Sequence, residues 1–370
     1  MQLAPDPLDF KHYSLEAEGS EKVLQASRFI DRVIDRMYGE EANNSPQTPW
    51  SVIGDRFQMR PGEVTLWAGI NGHGKTLVTT HVALHLLVQN ERVCIASFEM
   101  KGEATMARMV RQASGSAAPS VDYIHRFHDW TDDLLWIYDQ QGLVDPETLR
   151  QVMQYCAEKL KVKHFFIDSM MKVVKGEDDY NGQKQFVHEM TTVAQDTGMH
   201  IHLIAHVRKK DDETTLPNKF DVKGSSSVTD MVDNVWIVWR NRNKEKKLSE
   251  LLTARPPKPE LIEEEQSKPD AVLLLAKQRH FDWEGKVKLW LKPGANSFTD
   301  AYRSKPYHWE PPQSFGRLPS LMIRGDVDEV FDGGFAEVEV GARTEPGVRG
   351  GAGQVTSGVS GVSHHVPEDW

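Results

Sequence analysis

Eight consecutive residues have the types and spacing of a loop that binds nucleotide phosphates. Residues 69–76 read GINGHGKT. In this pattern the glycine-rich backbone wraps around the α- and β-phosphates, the lysine ammonium reaches the β- and γ-phosphates, and the threonine hydroxyl binds magnesium. The sequence therefore predicts that ATP, or another NTP or dNTP, binds here with Mg²⁺. The predicted nucleotide-binding residues are Gly69, Asn71, Gly72, His73, Gly74, Lys75, Thr76 and Leu77.

Three further polar side chains follow apolar runs that have the pattern of buried strands. A P-loop nucleotide site needs a magnesium-binding carboxylate at the end of a neighbouring strand, and Asp168 supplies one, although such an aspartate can also start a turn. Glu99 is the candidate general base that orients or deprotonates the attacking water, or else a solvated acid at a strand end. His206 is placed to sense the γ-phosphate, or is a structural histidine.

The elements that must position these residues alternate along the chain. Between residues 61 and 298, short β-branched runs alternate with helical stretches, which predicts an α/β fold with a mainly parallel twisted sheet flanked by helices. The stretch 240–269 is charged and contains prolines, and we expect an exposed insertion or a long loop there. The predicted strands are 64–68, 93–98, 164–167, 200–205, 234–239, 271–276 and a final pair around 287–291.

Composition and charge exclude several classes of protein. Of the 370 residues, 39% are hydrophobic and 26% are charged, and no apolar run reaches the roughly 20 residues that a membrane span needs. A net charge of −10 excludes non-specific binding of polyanions through bulk positive charge. The two cysteines, Cys94 and Cys156, fit a reducing compartment, and the acidic N-terminus has no export signal. We therefore expect a cytoplasmic protein with no membrane partner.

The two ends of the chain differ from its centre. Residues 21–39 place apolar side chains on one helical stripe, which predicts a helix whose apolar face docks on its own domain or on a neighbouring subunit. From Tyr307 onward the chain is acidic and rich in glycine, and we expect a largely disordered tail. This organisation predicts three segments: 1–48 with the docking helix, 49–306 as the working domain and 307–370 as the tail.

Six segments occur in the order found in one family of motor proteins. They read GINGHGKT, ASFEM, FFIDSM, LIAHVRK, KGSSSVTDMVDNVWIVWR and LLLAKQRHFDWEGKVKLWL. Together, over about residues 52–298, they resemble the replicative hexameric helicases of the DnaB, phage gene 4 and Twinkle type. The resemblance implies a RecA-like ATPase domain that forms a hexameric ring, binds nucleotide between subunits and pulls single-stranded DNA through its centre, usually 5′ to 3′. It also implies that the helix in 21–39 packs on the adjacent subunit.

The resemblance assigns catalytic roles by position. Lys75 and Glu99 match the catalytic lysine and glutamate, and His206 resembles the γ-phosphate sensor. Thr76 and Asp168 match the magnesium-binding residues. A second set, Lys277 and Arg279, matches the paired basic residues that a neighbouring subunit supplies, and an arginine there stabilises charge on the γ-phosphoryl oxygens. Hydrolysis would then require a neighbour, whereas the alternative for Arg279 is a surface ion pair.

Two loops, 172–185 and 209–227, would face the channel of such a ring. Their lysines could bind DNA phosphates, with backbone and hydroxyl groups as further donors. Acidic residues interrupt both loops, which weakens the basic signal. The alternative is that some of these lysines are ordinary solvated side chains. The predicted DNA-binding residues are Lys172, Lys175, Lys209, Lys210, Lys223, Gly224 and Ser225.

Two features depart from the family pattern. Asp230 stands where many relatives have a glutamine, so the residue that couples nucleotide to DNA is unassigned. The short N-terminal region has no room for the helical N-terminal domain of bacterial members or for a primase module, so we expect another protein to prime. The C-terminal residues Glu368, Asp369 and Trp370 could dock on a replisome partner, such as a primase, polymerase or single-strand-binding protein, or end a solubilising tail.

The sequence therefore predicts a ring-forming replicative DNA helicase, from a phage or a bacterium, that acts at the replication fork. Two other classes stay open. A RecA-like recombination or regulatory ATPase would share the phosphate loop but form filaments on DNA. A loader-like scaffold would bind nucleotide without unwinding, and the joint presence of Lys75, Glu99 and Arg279 argues against it.

Overall fold

The computed structural model describes residues 25–38, 45–174, 179–207, 214–222, 226–256 and 258–312. They all lie within one unit, residues 1–316. Among them, no helix has the length and apolar character to span a membrane. The helices are α1 (Ile30–Tyr38), α2 (Lys75–Val88), α3 (Gly102–Ser114), α4 (Val121–Thr131), α5 (Pro146–Glu158), α6 (Tyr180–Thr197), α7 (Ser226–Met231), α8 (Arg242–Thr253) and α9 (Pro259–Ser267). The strands are β1 (Val64–Gly69), β2 (Val93–Ser97), β3 (Leu135–Tyr138), β4 (His164–Asp168), β5 (His200–His206), β6 (Asn234–Arg240), β7 (Ala271–Gln278), β8 (Gly285–Lys292) and β9 (Ser297–Thr299).

One nine-stranded sheet organises the fold, in the order β3-β2-β4-β5-β1-β6-β7-β8-β9. The first six strands in this order are parallel, whereas β7, β8 and β9 are antiparallel. Gly69 of β1 pairs with His206, and Ser97 of β2 pairs with Asp168, so these strands end together. We call this shared end of the sheet the P-loop edge. The α/β fold with a mainly parallel sheet is thereby confirmed.

The sheet separates two hydrophobic layers. Because successive side chains of a strand point to opposite faces of the sheet, Leu66 and Ala68 lie in one layer and Trp67 lies in the other. All six residues of β1 are buried, as expected for a central parallel strand that is covered on both faces. Trp67 stacks on Trp236 of β6, with 5.9 Å between the ring centroids. This packing fixes the strand that leads directly into the phosphate loop.

Two elements differ from the sequence-based expectation. The stretch 240–269, expected as an exposed insertion or a long loop, folds as the largely exposed helical hairpin α8–α9. The buried Lys244 ammonium fastens this hairpin, because it donates to the carbonyls of Gln266 and Lys268 and pairs with Asp270. The edge strand β3 was not predicted, since its four residues are only half-buried and carry no period-two pattern.

Helix α1 presents its apolar stripe to solvent. Ile30, Val33 and Ile34 are about half exposed and Met37 is 62% exposed. The predicted helix 21–39 extends beyond the described residues at both ends. Such a stripe suits a docking surface, and whether α1 docks on its own domain or on a neighbouring subunit stays a prediction.

Three buried histidines form a polar cluster within the sheet. His202 accepts from Trp67 Nε1 at 3.2 Å and lies 3.2 Å from His164 Nδ1, while His200 Nε2 lies 2.8 Å from Thr65 Oγ1. Burial is the main cause that lowers the pKa of all three, and for His164 and His202 neighbouring histidines add to it. The pKa of His200 falls to about 4.

This cluster predicts acid sensitivity of the fold. A histidine with a lowered folded-state pKa is neutral when folded and charged when unfolded between the two values, so stability is lost as pH falls below the unfolded value of about 6.5. For His200 alone the loss at pH 4 is about 3 kcal/mol relative to pH 7. Urea unfolding at pH 7 and pH 4 measures it. His200→Gln keeps a donor and an acceptor, and between pH 7 and pH 4 it should lose about 3 kcal/mol less unfolding free energy than the wild type. Equal losses in both proteins would show that His200 does not cause the acid sensitivity.

Candidate active site

The phosphate loop has a backbone that only glycine accommodates at three positions. Gly72 and Gly74 have φ angles of +74° and +91°, in the left-handed region. At Gly69 a Cβ atom would lie 2.5 Å from the Val238 carbonyl oxygen. Helix α2 begins at Lys75, directly after the loop. The free N–H groups of its first turn therefore face the concavity where an anion would bind.

The Lys75 side chain lies inside this loop. Its Nζ donates to the carbonyl oxygens of Gly69 at 3.0 Å and Ile70 at 3.2 Å, and the residue is buried. A buried ammonium needs such oxygen partners. Phosphate oxygens are the same kind of acceptor with more charge, so the loop and Lys75 form a cradle suited to the β- and γ-phosphates.

Thr76 and Asp168 form the candidate magnesium site. The Thr76 hydroxyl donates to Asp168 Oδ2 at 2.8 Å. Burial raises the pKa of Asp168, helped by the charge of Glu99 and opposed by the Thr76 hydrogen bond and by the charges of Lys75 and Arg108. A hydroxyl beside a buried carboxylate fits Mg²⁺, which proteins bind through one or two carboxylates together with substrate phosphates. In the part of the chain that the structure describes, no cluster of three or more His, Cys, Asp or Glu side chains offers a complete metal cage.

Glu99 and His206 lie at the same edge of the sheet. Glu99 follows β2 and is exposed, and the Ser169 hydroxyl donates to its Oε1 at 3.0 Å. The Phe98 amide donates to the Asp168 carbonyl, which holds Glu99 beside the magnesium carboxylate. His206 is half-buried and pairs with Gly69, at the entrance of the phosphate loop. The structure thus brings both predicted residues to the P-loop edge, with Ser169 as a partner of Glu99 that the sequence did not reveal.

Lys277 and Arg279 lie at the other end of the sheet. Gln278, between them, pairs with Asn234 at the start of β6, whereas the phosphate loop lies beside Val238. The four residue-to-residue steps from Asn234 to Val238 span about 13 Å of strand. Within one chain, these two basic residues are therefore not brought together with the phosphate loop.

Both basic side chains contact the end of α7. Lys277 Nζ donates to the carbonyls of Thr229, Asp230 and Val232, each at 2.8 Å. Arg279 pairs with Asp233 at 3.2 Å and remains about half exposed. Lys277 thus satisfies helix-end carbonyls in its own chain, whereas the Arg279 guanidinium is accessible to a second molecule.

Comparisons with known proteins concern the fold. Residues 35–212 match the protein family described as AAA domain. A solved structure of a DnaB-like replicative helicase, described with its interactions with primase, has a TM-score of 0.56 and 14% identity over 75% of this chain and 67% of that chain. A second solved structure, described as an ATPase domain, has a TM-score of 0.58 and 16% identity over 75% of this chain and 98% of that domain. This chain has a RecA-like ATPase fold. The fold implied by the sequence resemblance is thereby confirmed.

Two arginines border the site, and no sequence motif predicted either of them. Arg108 of α3 is half-buried, and its charge lowers the pKa of Asp168 against the larger effect of burial. The Arg240 amide at the end of β6 donates to His73 Nδ1 at 3.1 Å, so β6 supports the phosphate loop from one side. Neither contact has a sequence motif, because each depends on which strands and helices become neighbours.

The predicted DNA loops are described only in part. Lys172 ends a 3₁₀ turn, is half-buried, and its carbonyl accepts from the Val144 amide. Residues 214–222 of the second loop are described and include a 3₁₀ turn, Lys219–Asp221. The other predicted DNA-binding residues lie outside the described residues: Lys175, Lys209, Lys210, Lys223, Gly224 and Ser225.

The first residues of the predicted tail contact the helices beside α2. Tyr123 Oη donates to the Trp309 carbonyl, and the Trp309 amide donates to the Ala113 carbonyl at 2.7 Å. The Tyr307 ring packs edge-on against His81 of α2. The domain boundary at 306 stays a prediction, and residues 313–370, including Glu368, Asp369 and Trp370, lie outside the described residues.

Proposed function

We propose that this chain is a ring-forming replicative DNA helicase. It would couple hydrolysis of ATP, or another NTP or dNTP, to translocation on single-stranded DNA and to unwinding of the duplex. The observation that carries the proposal is the separation of the catalytic groups. Lys75, Glu99 and Asp168 lie at the P-loop edge, whereas the half-exposed Arg279 lies at the opposite end of the sheet.

This separation supports head-to-tail assembly. If the Arg279 end of one copy meets the P-loop edge of the next, each interface completes one site, and a contact of this heterologous kind closes into a ring when its rotation permits. The exposed stripe of α1 offers a second contact with the adjacent copy. We propose a hexamer on the strength of the resemblance, with 5′ to 3′ movement, in the cytoplasm of a bacterial or phage-infected cell.

The residues would share the work of phosphoryl transfer. Thr76 and Asp168 would hold Mg²⁺, which would supply positive charge beside the phosphates. Lys75 and the loop amides hold the phosphates in line for attack. Glu99 accepts a proton from the water whose oxygen bonds to the γ-phosphorus as the bond to the β–γ bridging oxygen breaks. His206, beside the loop, would contact the γ-phosphate, and Arg279 of the neighbouring copy would stabilise the charge that spreads over its oxygens.

A replicative role would require further partners. One solved structure of similar fold is described with its interactions with primase, and we propose that this chain meets a primase, a polymerase or a single-strand-binding protein through its C-terminal tail. The proposal for the tail rests on its acidic residues and its terminal aromatic residue, which suit a basic, apolar-lined pocket.

Fork unwinding by the full chain tests the proposed function. We expect ATP hydrolysis that single-stranded DNA stimulates, a closed ring in negative-stain images, and separation of a forked duplex with a free 5′ tail. A recombinase-like ATPase would instead give DNA-stimulated hydrolysis with open filaments and an intact fork. A loader-like scaffold would bind nucleotide with no hydrolysis above that of Lys75→Ala, the matched inactive control.

A further inference from the structure

One aromatic side chain stands in solvent within the described part of the second predicted DNA loop. Phe220 is 74% exposed, and it is the one large hydrophobic side chain exposed within residues 214–222. Exposing a phenylalanine to this extent gives up the free energy that burial would provide. Since isolated exposed apolar residues are common on protein surfaces, exposure alone does not assign a role.

The backbone around Phe220 is held in place. Asn218 and Asp221 form a reciprocal capping box: the Asn218 side chain accepts from the Phe220 amide at 2.9 Å, and the Asn218 amide donates to Asp221 Oδ2 at 2.9 Å. Directly after this turn, Val222 forms an antiparallel bridge with Val207, the residue that follows β5. The turn therefore presents the Phe220 ring on an ordered support attached to the central sheet.

A lysine ammonium lies beside the Phe220 ring. The Lys219 ammonium lies 5.7 Å from the centroid of the Phe220 ring. Burial lowers the pKa of Lys277, the charges of Arg279 and Lys219 lower it further, and the charges of Asp230 and Asp233 raise it, so carboxylates accompany the cations on this side of the turn. An aromatic ring flanked by a cation is the arrangement with which proteins hold single-stranded nucleic acid, by stacking on a base and attracting its phosphate.

We infer that Phe220 stacks on an unpaired base of bound single-stranded DNA, with Lys219 beside the adjoining phosphate. The inference rests on the proposed function, since it specifies how the proposed strand is held. A protein interface would need a contiguous apolar core around the ring. Within residues 214–222, Phe220 is the one large hydrophobic side chain that is exposed, and its neighbours Asn218 and Asp221 are polar, so this described stretch offers a single stacking plane of base size.

Binding of oligodeoxythymidine to the full chain, followed by fluorescence anisotropy with a non-hydrolysable ATP analogue present, tests this contact. Phe220→Ala should weaken binding about 5- to 150-fold, the effect of losing one base–aromatic stack. Phe220→Trp should restore it. Leu252→Ala, which removes another exposed apolar side chain from α8, should bind like the wild type. The basal ATPase activity of Leu252→Ala should also match that of the wild type.

An oligonucleotide of equal length with abasic sites separates stacking from indirect effects. Wild type and Phe220→Ala should bind it with equal affinity, because no base is present to stack. If Phe220→Ala binds oligodeoxythymidine like the wild type, or loses affinity equally for the abasic strand, or fails to form the wild-type assembly by light scattering, the inference is overturned. If the wild type itself binds no single-stranded DNA, the proposed function fails, and the inference fails with it.

Discussion

Arg279→Ala is expected to lower ATP hydrolysis by the full chain about 10³- to 10⁵-fold, the range over which an arginine finger accelerates phosphoryl transfer. The reason is geometric. The Arg279 guanidinium lies at the end of the sheet opposite the phosphate loop of its own chain, and its partners there are Asp233 and the Met231 carbonyl. Its loss leaves Lys75, Thr76 and Asp168 in place, so nucleotide affinity should change far less than turnover. Steady-state hydrolysis and binding of a fluorescent ATP analogue measure the two effects.

Mixed assemblies show whether Arg279 acts on its own chain or on its neighbour. An Arg279→Ala subunit retains Glu99, and a Glu99→Gln subunit retains Arg279. An interface that takes Glu99 from the Arg279→Ala subunit and Arg279 from the Glu99→Gln subunit is therefore complete. Random mixing at equal amounts makes about a quarter of the interfaces complete, and hydrolysis should recover accordingly. Two inactive proteins that remain inactive after mixing, or an active Arg279→Ala protein, would contradict a shared site.

Arg279→Lys is the matched control for charge. Lysine keeps the positive charge but loses the planar, forked arrangement of donors that spans two phosphoryl oxygens. We therefore expect only partial activity from this variant. Full activity would show that charge alone suffices, and Arg279 would then contribute electrostatic attraction without a specific geometry.

Lys277 acts differently from Arg279 in the single chain. Its ammonium already has three carbonyl acceptors at the end of α7, so moving it toward a nucleotide on the neighbour would leave those carbonyls without a donor. The resemblance groups the two residues as a catalytic pair. In the single chain Lys277 holds the end of α7 and Arg279 retains an accessible guanidinium, and the catalytic role of the pair stays a prediction.

The sequence predicted those parts of the site that depend on local order. The phosphate loop required only the glycine spacing of 69–74 and the neighbouring strand and helix, and both elements occur as expected. Asp168 and Glu99 were predicted because parallel strands that end at the same edge bring their final residues together. In both cases the predicted residues directly follow or precede a strand or a helix, and the position of that element can be predicted from the sequence pattern.

The contacts that the sequence did not predict link elements that are far apart in the chain. Ser169 reaches Glu99, Arg108 acts on Asp168, and Arg240 supports His73 only once β2, β4, β1 and β6 are arranged in the sheet. The stretch 240–269 was expected as an exposed insertion or a long loop, and its charged composition gave no sign of the buried Lys244 that fastens it as the hairpin α8–α9. Sequence periodicity carries no information about such pairings.

Glu99→Gln is expected to lower ATP turnover about 10²- to 10⁴-fold, the contribution typical of a general base. The substitution keeps an oxygen that can accept from the Ser169 hydroxyl, so the hydrogen bond at 3.0 Å and the local fold should persist. It removes the basic carboxylate that would take the proton of the attacking water. The ATP–Mg²⁺ complex, which carries net negative charge, should bind at least as tightly as to the wild type, because the variant has one negative charge fewer beside Asp168.

Glu103→Gln is the matched control for this loss of charge. Glu103 lies in the first turn of α3, four residues beyond Glu99, and is exposed. The control should hydrolyse ATP at close to the wild-type rate. A single-turnover measurement places the defect of Glu99→Gln: a slow chemical step with nucleotide already bound supports a base at Glu99, since proton transfer belongs to that step. Fast chemistry followed by slow product release would mean that Glu99 governs release, and that another group accepts the proton of the attacking water.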